Sequence, residues 1–477
     1  MEAVVLFEPF KIKNITFANR ILRSSMGGRT TYYDGTVSPA WVHFEKRFAK
    51  GGVAGLISPT ISVNEARQSP LEYPSLHDDR FIGPLRDAVG EIKSGGPRGD
   101  GCRYIIQIGD TGAHTHTSLK PQDADRVSAS PFFDFQYGYQ NSARAMSLDE
   151  IRATVSDFEQ AARRVVAAGC DGIEITASKG YLIHQFLNPL TNRRTDEYGG
   201  SLDKRFQLLD YIVRAVRKAV GPDFLFGVRL SAKDFNNSPP TLRFPLVWPP
   251  PPWRAWIGNG LVESIHYARK LEELGVDYLH IDSGFGFPNP HGNPGGYPDE
   301  AVAATFNAYR FLSSKAQARA TLFNFMSLFP ASVRKNVFGA AWRVKPAANA
   351  DFAAAIRQAV KIPVIANGGF QDRDVIDGAL KANKCDMIAI ARPLLANPDL
   401  LDQFYKGANR PENPCSFCSL CCASTAVFPL GCYDQDRFKT PEGMINQILA
   451  WCSPNAPFSI KDGSRIDKDA QELELLQ

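Results

Sequence analysis

The stretch that decides the fold is CDGIEITASKGYLIHQFLNPLTNRRTDEYGGS, residues 170–201. It opens with the short, apolar and β-branched run Gly172-Ile173-Glu174-Ile175, which predicts a buried strand. It closes at Gly199-Gly200, where a turn that needs positive φ is permitted. Between strand and turn lie a Thr, a Lys, a Tyr, a His and an Arg pair. Because loops carried by a rigid scaffold hold much of protein chemistry, we expect a functional site directly after this strand.

The same short apolar strand recurs along the chain, and amphipathic helices such as Leu148–Ala168 and Gly260–Leu274 separate most of the strands. Eight strands that alternate with helices and are nearly continuous in apolar character favour an α/β fold, a closed parallel (β/α)8 TIM barrel. An open doubly wound sheet is the alternative, but no G-x-G-x-x-G follows the first strand. The expected strands are Arg20–Ser24, Val53–Ser58, Arg103–Gly109, Asp171–Thr176, Phe224–Leu230, Val276–Asp282, Ile362–Asn367 and Cys385–Ile390.

The chain divides into a barrel over residues 1–410, a Cys-rich extension over 411–458 and a polar tail over 459–477. Two stretches exceed ordinary loop lengths, at about 236–260 after the fifth strand and at about 288–349 after the sixth. Both are expected to emerge at the C-terminal mouth of the barrel and to form a lid or a pocket wall. A surface excrescence or a subunit contact is the alternative.

Composition and charge are those of a globular protein with a sizeable core, at 44% hydrophobic and 22% charged residues. The net charge of +4 is too small for so long a chain to indicate nucleic-acid binding. The sequence shows neither a signal peptide nor about 18 consecutive apolar residues, so no membrane span is predicted. Nine cysteines in such a chain indicate a reducing compartment, which we take to be the cytoplasm. Assembly into a homo-oligomer is left open.

Polar residues after the last two strands predict a phosphate site. Gly368-Gly369 follows the seventh strand and Ala391-Arg392 follows the eighth. At these positions barrels commonly bind phosphate through backbone N–H groups, a helix N-terminus and an Arg. Plain tight turns are the alternative at each position.

Two side chains at other strand ends suit a heteroaromatic ring. Gln107 and Arg229 follow the third and fifth strands and are expected to point to the same mouth. An amide and a guanidinium can bracket a ring edge that carries carbonyl and N–H groups. A salt bridge within the barrel is the alternative for Arg229.

In combination these motifs resemble the old yellow enzyme family of FMN-dependent ene-reductases (NADH:flavin oxidoreductases). The resemblance covers roughly Leu6–Leu401 in pieces and is poor over both insertions. The alanine of Ala391-Arg392-Pro393 is closest to the 2,4-dienoyl-CoA reductase branch. The motifs that carry the resemblance are LFEPFKIKNITFANRIL, GYLIHQFLNPLTNRRTDEYGGS, FGVRLS, VIANGGF and DMIAIARPLLANPDL.

The resemblance implies an oxidoreductase that passes hydride from NAD(P)H through flavin N5 to an activated C=C bond of a small unsaturated carbonyl substrate. Many members read H-A-A-H-G-Y-L or H-S-A-N-G-Y-L where this chain reads residues 176–182, so the donors that polarise the substrate carbonyl are Thr176 and Lys179 here. Tyr181 is the expected proton donor to the α-carbon. The implied FMN contacts are Ser25, Met26, Gly27, Pro59, Gln107, Arg229, Gly368, Gly369, Ala391 and Arg392, of which the last three hold the phosphate.

Other readings of the same residues stay open. Lys179 is either a donor or turned to solvent or an acidic partner, and Tyr181 is otherwise a packed aromatic. His184 is expected to be structural, whereas His114, His116 and His291 lie on mouth loops. The alternative functions are a flavin-dependent desaturase of a specialised metabolite, a barrel lyase that forms a Schiff base at Lys179, and a flavoprotein that has lost turnover.

Five cysteines lie between Cys415 and Cys432, and thiolates at this spacing suit an iron–sulfur cluster or zinc. In the dienoyl-CoA reductase branch a similar run holds a four-iron cluster, which the resemblance carries onto Cys415, Cys418, Cys422 and Cys432, with Cys421 as the alternative. The Asn usual after the second Cys is Ser419 here. Free or zinc-bound thiols are the alternatives to a [4Fe–4S] cluster.

Overall fold

The computed structural model describes residues 4–450 except for 69–72, 97–100, 116–124, 135–140, 237–256, short stretches between 287 and 313, residue 335, 337–344 and 426–427. Its strands, in chain order, are β1 (Phe10–Ile12), β2 (Ile15–Phe17), β3 (Ile21–Arg23), β4 (Gly55–Ile57), β5 (Ile61–Ser62), β6 (Arg103–Gly109), β7 (Val127–Ser128), β8 (Phe132–Asp134), β9 (Asn141–Ala145), β10 (Gly172–Ala177), β11 (Leu225–Ser231), β12 (Tyr278–Asp282), β13 (Val364–Asn367) and β14 (Met387–Ile390).

Eight of these strands close into a parallel barrel in the order β3-β4-β6-β10-β11-β12-β13-β14. The pairing of β14 with β3 completes the ring, so the barrel has no open edge. All eight strands expected from the sequence are present, and the doubly wound alternative is wrong. The short strand β5 pairs with the end of β6.

The helices cover the outside of the barrel because each has one apolar face. On α3, for example, Ile151, Phe158 and Val165 are buried at helical spacing, and a capping box of Ser147 and Glu150 starts the helix. The helices are α1 (Pro39–Lys50), α2 (Ile82–Lys93), α3 (Leu148–Ala167), α4 (Leu182–Leu187), α5 (Leu202–Val220), α6 (Leu261–Glu273), α7 (Ser314–Ser327), α8 (Ala331–Val333), α9 (Ala350–Arg357), α10 (Arg373–Lys381), α11 (Arg392–Ala396), α12 (Leu400–Tyr405), α13 (Leu420–Ser424) and α14 (Pro441–Ala450).

Additional strands lie outside the ring. The antiparallel hairpin β1–β2 contributes Ile12 and Phe17 to the same apolar cluster as Leu22, Tyr278 and Met387 of the barrel strands. Between β6 and α3, β9 pairs with both β7 and β8. Neither feature was anticipated from the sequence. No helix in the described part of the chain is long and apolar enough to cross a membrane.

The two insertions are described only in part, and the tail not at all. Residues 237–256 and 459–477 lie outside the described residues, and so does a lid formed by the first insertion. The second insertion contains α7, and its residue Gly292 lies at the barrel mouth, where its carbonyl oxygen contacts Lys179.

The register of the strands decides which side chains meet at the mouth. Thr176 on β10 pairs with Arg229 on β11, and Arg229 pairs with His280 on β12. Partners in register on parallel strands point to the same side of the sheet, so these three residues share the inner face. Asp282, two residues beyond His280, returns to that face because side chains alternate along a strand.

Candidate active site

The turn between β10 and α4 carries the candidate substrate donors. Lys179 and Gly180 are consecutive residues in the left-handed region, with φ of 58° and 79°. A Cβ on Gly180 would lie 3.0 Å from the backbone nitrogen of Gly286, so the turn has no room for a larger residue there. The Gly180 N–H donates to His184 Nδ1 at 3.0 Å and its carbonyl accepts from Gln185 at 2.7 Å. The turn is therefore fixed from both sides.

This turn extends Lys179 across the mouth to Asp282, at the end of β12. The ammonium nitrogen lies 3.0 Å from Asp282 Oδ1 and donates to the carbonyl oxygen of Gly292 at 2.9 Å. The other carboxylate oxygen of Asp282 accepts from Arg229 Nη2 at 2.6 Å. Asp282 is 2% exposed, so one buried carboxylate joins two cations. An ammonium has three N–H donors, and two of them are engaged here.

Burial and mutual attraction set the protonation of this group. Burial lowers the pKa of Lys179; Asp282 partly offsets this effect, and Arg229 and Arg392 add to it. Burial alone would raise the pKa of Asp282, but Lys179 and Arg229 outweigh it and hold that pKa well below its usual value. Both alternatives raised for the two cations, an ion pair at Arg229 and an acidic partner for Lys179, are thus found, and the acidic partner is shared.

Gln107 belongs to a buried hydrogen-bond chain beneath the mouth. Its Oε1 accepts from the Thr60 hydroxyl and its Nε2 donates to Glu174, both at 2.6 Å. Glu174 lies 3.2 Å from His280 Nδ1, and the other ring nitrogen of His280 lies 3.1 Å from the Asn367 amide. Burial would raise the pKa of Glu174, but His280, Arg229 and Gln107 lower it overall. The amide of Gln107 is therefore held in one orientation.

Sequence reasoning missed three residues of this site: Asp282, Glu174 and His280. Each is a charged or titratable residue inside an apolar strand, in GIEIT or YLHID. Such a residue is almost never fully buried without a partner, so its position in a strand was a usable signal.

Thr176 and Tyr181 lie on either side of Lys179 and are both buried. A Cβ on Gly109 would be only 2.5 Å from the Thr176 methyl group, so Thr176 packs over the end of β6. Tyr181 directly precedes α4. His184 is structural, as expected, because Nδ1 accepts from Gly180 and Nε2 lies 2.8 Å from Asp234.

The remaining mouth histidines differ in their surroundings. His114 is buried, with Nε2 3.2 Å from the place of a Cβ on Gly180. The His291 ring stacks on Phe235 at 3.7 Å between centroids, and burial lowers its pKa. His116 lies outside the described residues.

The residues expected at one side of the flavin follow β3 and β4. Gly27 and Pro59 meet closely, since a Cβ on Gly27 would lie 2.5 Å from the Pro59 side chain. Ser25 and Met26 are half-buried beside them. Gly27, the amide of Gln107 and the guanidinium of Arg229 lie on or directly after strands of the same parallel barrel, and their residue types are compatible with FMN.

The end of the site that is expected to bind the phosphate consists of two neighbouring turns. β13 and β14 pair in register up to Asn367 and Ala389, so the turns that follow them are adjacent. Gly368 and Gly369 are left-handed, with φ of 97° and 74°. A Cβ on Gly369 would lie 2.3 Å from the Lys345 carbonyl, so the second turn position also requires glycine. Ala391 precedes the five-residue helix α11, which Arg392 begins.

Arg392 connects this end to the cysteine-rich extension. Its Nη1 donates to Ser419 Oγ at 3.0 Å, and its guanidinium lies 5.2 Å from the Phe417 ring centroid. A small cavity, of about 10 Å³, lies beside it. The cysteines that line this cavity are Cys415, Cys418, Cys421 and Cys432. Cys422, which the resemblance suggested, is not among the lining residues.

Several features mark the cavity as a thiol site. Arg437 Nη1 lies 2.9 Å from Cys432 Sγ, and Phe417 and Ser419, on either side of Cys418, are non-glycine residues in the left-handed region. Burial raises the pKa of Cys415 to about 11 although Arg392 lowers it. No three His, Cys, Asp or Glu side chains in the described ranges converge closely enough to hold a metal ion. Thiols are the donors that soft metal centres prefer, so the residue types that line the cavity fit such a centre.

The profile of the NADH:flavin oxidoreductase / NADH oxidase family matches residues 5–240 and 311–411. Among curated proteins, the chain is 29% identical over 419 residues to a metal reductase of Desulforamulus reducens, covering 88% of this chain and 51% of that protein. It is 26% identical over 424 residues to an NADH oxidase of Thermoanaerobacter brockii, covering 89% and 54%. It is 32% identical over 284 residues to an NADPH dehydrogenase of Geobacillus thermodenitrificans, covering 59% and 73%. The chain thus spans about half the length of the first two relatives.

Solved structures share the fold at low identity. A complex of 2-naphthoyl-CoA reductase with 2-naphthoyl-CoA superposes with a TM-score of 0.71 at 21% identity, over 94% of this chain and 58% of that one. Morphinone reductase in complex with tetrahydroNAD gives 0.59 at 22% identity, over 86% and 93%. The resemblance noted from the motifs is confirmed, and the chain belongs to the NADH:flavin oxidoreductase / NADH oxidase family, the old yellow enzyme family.

Proposed function

We propose that the protein is an FMN-dependent oxidoreductase that transfers hydride from NAD(P)H to an activated C=C bond of an enone- or dienoyl-type substrate. The observation that carries the proposal is the position of Lys179, two residues before Tyr181, whose ammonium shares the carboxylate of Asp282 with Arg229 at the barrel mouth. Family membership and the residues suited to FMN support it. FMN, when bound, supplies the hydride at N5.

The protein's own residues have separable tasks. Lys179 donates its remaining N–H to the substrate carbonyl oxygen, with Thr176 as the second donor, and so draws charge away from the C=C bond. Removing one such donor typically costs a factor of about 10²–10³ in rate. Tyr181 gives its phenolic proton to the α-carbon as the β-carbon is reduced. Burial of the turn keeps water from these groups.

A spectrum and two half-reactions test the proposal. The purified protein should show flavin absorption, bleach with NADPH or NADH under anaerobic conditions, and recover its colour with 2-cyclohexen-1-one. Tyr181→Phe should slow the recovery by about 10²–10⁴-fold and leave the bleaching rate unchanged. A colourless protein that cannot be reconstituted with FMN would sink the proposal, and equal slowing of both steps would remove the proton-donor role from Tyr181. Net oxidation of a saturated carbonyl compound would instead indicate the desaturase direction.

A Schiff-base lyase remains a second candidate because burial lowers the pKa of Lys179, as a nucleophilic amine requires. The ion pair with Asp282 opposes it, since pairing favours the protonated amine. Borohydride reduction with aldehyde substrates should leave Lys179 unmodified, whereas a stable adduct at that residue would favour the lyase.

We also propose that the cavity of the extension holds a [4Fe–4S] cluster through Cys415, Cys418, Cys421 and Cys432. Four thiols that line one cavity match the ligand set of such a cluster, and the described cysteines form no disulfide with one another, in keeping with a reducing cytoplasm. Iron and acid-labile sulfide analysis tests it with a matched pair of variants. Cys421→Ser should lose the cluster and Cys422→Ser should keep it. The reverse result would restore Cys422 as ligand, and no iron in the anaerobically purified protein would exclude the cluster.

A further inference from the structure

We propose that Asp282 is a positioning residue that binds Lys179 and Arg229 into one charged unit, so that the donor to the substrate and the cation beside the flavin are set together. The inference rests on the proposed function and extends it to a residue outside the substrate and flavin contacts suggested by the family resemblance. The inference is based on the separate partners of the two carboxylate oxygens of Asp282.

The two carboxylate oxygens of Asp282 have separate partners. Oδ1 faces the Lys179 ammonium at 3.0 Å and accepts from the Ser283 N–H at 2.8 Å. Oδ2 accepts from Arg229 Nε at 3.1 Å and Nη2 at 2.6 Å. The backbone bond from Ser283 fixes the plane of the carboxylate at the rigid end of β12. Neither cation can therefore turn away without breaking a bond to a buried carboxylate.

Lys179 depends on this anion for both its charge and its direction. Among the described residues, the charged groups that act most strongly on it are Asp282, Arg229 and Arg392, of which Asp282 is the negative one. Without the carboxylate, the buried ammonium would face two guanidinium groups and retain the uncharged carbonyl of Gly292 as its acceptor. Burial disfavours an uncompensated charge, so the amine would lose its proton more readily. A neutral amine is a weaker donor to the substrate carbonyl.

The same carboxylate partly neutralises the positive charge of Arg229. Asp282 and, more distantly, Glu174 are the anions near its guanidinium. Replacement of Asp282 by a neutral residue would leave more positive charge beside the flavin ring. Positive charge there stabilises a negatively charged reduced flavin, so the midpoint potential should rise.

The test measures the pKa of Lys179 in the full-length purified protein. Competitive labelling with acetic anhydride across pH, read by mass spectrometry with exposed Lys204 as internal reference, gives this pKa for each variant. In Asp282→Asn the pKa should fall by at least one unit, which is a tenfold rise in the free-amine fraction at a pH below both values. Asp282→Glu should recover part of the shift. The flavin midpoint potential should rise in Asp282→Asn.

The matched control is Asp277→Asn at the opposite end of β12, where the carboxylate also joins a lysine and an arginine. This variant should leave the pKa of Lys179 and the flavin potential unchanged. If Asp282→Asn does not fold, Asp282→Ser replaces it. Equal Lys179 pKa values in wild type and the neutral Asp282 variants would overturn the inference even if the wild type reduces alkenes. A shifted pKa in a protein that never reduces an alkene would overturn the proposed function and leave the role of Asp282 standing.

Discussion

The two ends of β12 carry the same arrangement in different surroundings. At the start, Asp277 contacts Lys13 at 2.8 Å and Arg217 at 2.7 Å, with all three side chains partly exposed. At the end, Asp282 contacts Lys179 and Arg229 and is almost fully buried. Asp277 joins outer parts of the barrel near its N-terminal face, and Asp282 lies at the C-terminal mouth.

The two aspartates contact the same residue types, a lysine and an arginine, at opposite ends of one strand. Whether such an ion-pair group serves stability or chemistry therefore depends on the end of the barrel where it lies. In TIM barrels the N-terminal face serves stability and the C-terminal face serves chemistry. Exposed pairs contribute little because water and salt screen them, whereas a buried charge that loses its partner is costly. Matched substitutions at the two ends can break this assignment or sharpen it.

The largest contrast is expected between the two arginines. Arg229→Met leaves the buried Asp282 with one cation, so the free energy of unfolding should fall by about 3–5 kcal/mol and flavin should be lost. Arg217→Met should cost less, about 1–2 kcal/mol, because its ion pair is partly exposed although its guanidinium also donates to backbone carbonyl groups. Urea unfolding together with flavin content measures both. Equal costs at the two ends would break the comparison.

The two lysines come next. Lys179→Met should slow alkene reduction by about 10²–10³-fold, because the carbonyl loses a charged donor, while flavin reduction by NADPH keeps its rate. Lys13→Met should leave both rates as in wild type. Stopped-flow absorption separates the two half-reactions. A Lys179→Met variant with normal alkene reduction would mean that the ammonium only balances Asp282.

The next prediction concerns the loss of alkene reduction at alkaline pH, where Asp282→Asn and wild type should differ in rate by about tenfold. Burial lowers the pKa of Lys179, and the protonated amine is the active form. Alkene reduction is therefore present below that pKa and is lost as the pH rises through it, earlier than for an exposed lysine. In Asp282→Asn the limb should move at least one unit lower, and in Asp277→Asn it should stay. Flavin reoxidation rates between pH 6 and 10 give the limb.

Salt should produce the smallest difference. At 1 M ionic strength the Debye length is about 3 Å, so the partly exposed Asp277 pairs are screened and the buried Asp282 pairs much less. The cost of Asp277→Asn, about 1 kcal/mol at low salt, should approach zero in 1 M NaCl. The cost of Asp282→Asn should persist. Unfolding curves at both salt concentrations provide the measurement.

The sequence predicted the barrel well because each strand is a local signal. Strand Arg103–Gly109 was predicted to the residue, and Thr176 could be placed at the end of a strand and Lys179 and Tyr181 just after it. The hairpin β1–β2 was missed because its strands are three residues each and depend on packing against distant barrel strands. The partner of Lys179 was missed for a similar reason, since Asp282 is brought to it by the closure of the ring.

In the cysteine-rich extension, too, local sequence was not enough to identify the residues that meet in the folded chain. Spacing and resemblance favoured Cys422 as a ligand, whereas the folded chain turns Cys421 toward the cavity. The two residues are adjacent at the start of a short helix and their sulfur atoms lie 4.0 Å apart, although Cys421 lines the cavity and Cys422 does not. Pattern alone could not decide between them.

The left-handed conformation of Lys179 means that the charged donor stands at a position whose backbone disfavours it. Asn, Asp and His are the non-glycine residues most often found at such φ values, and many members of the family that this chain resembles carry Asn or His here. Lysine there costs about 1–2 kcal/mol of backbone strain. Replacement by asparagine would relieve that strain and would also remove the ammonium from Asp282. Backbone stability and a charged donor therefore make opposite demands on this position.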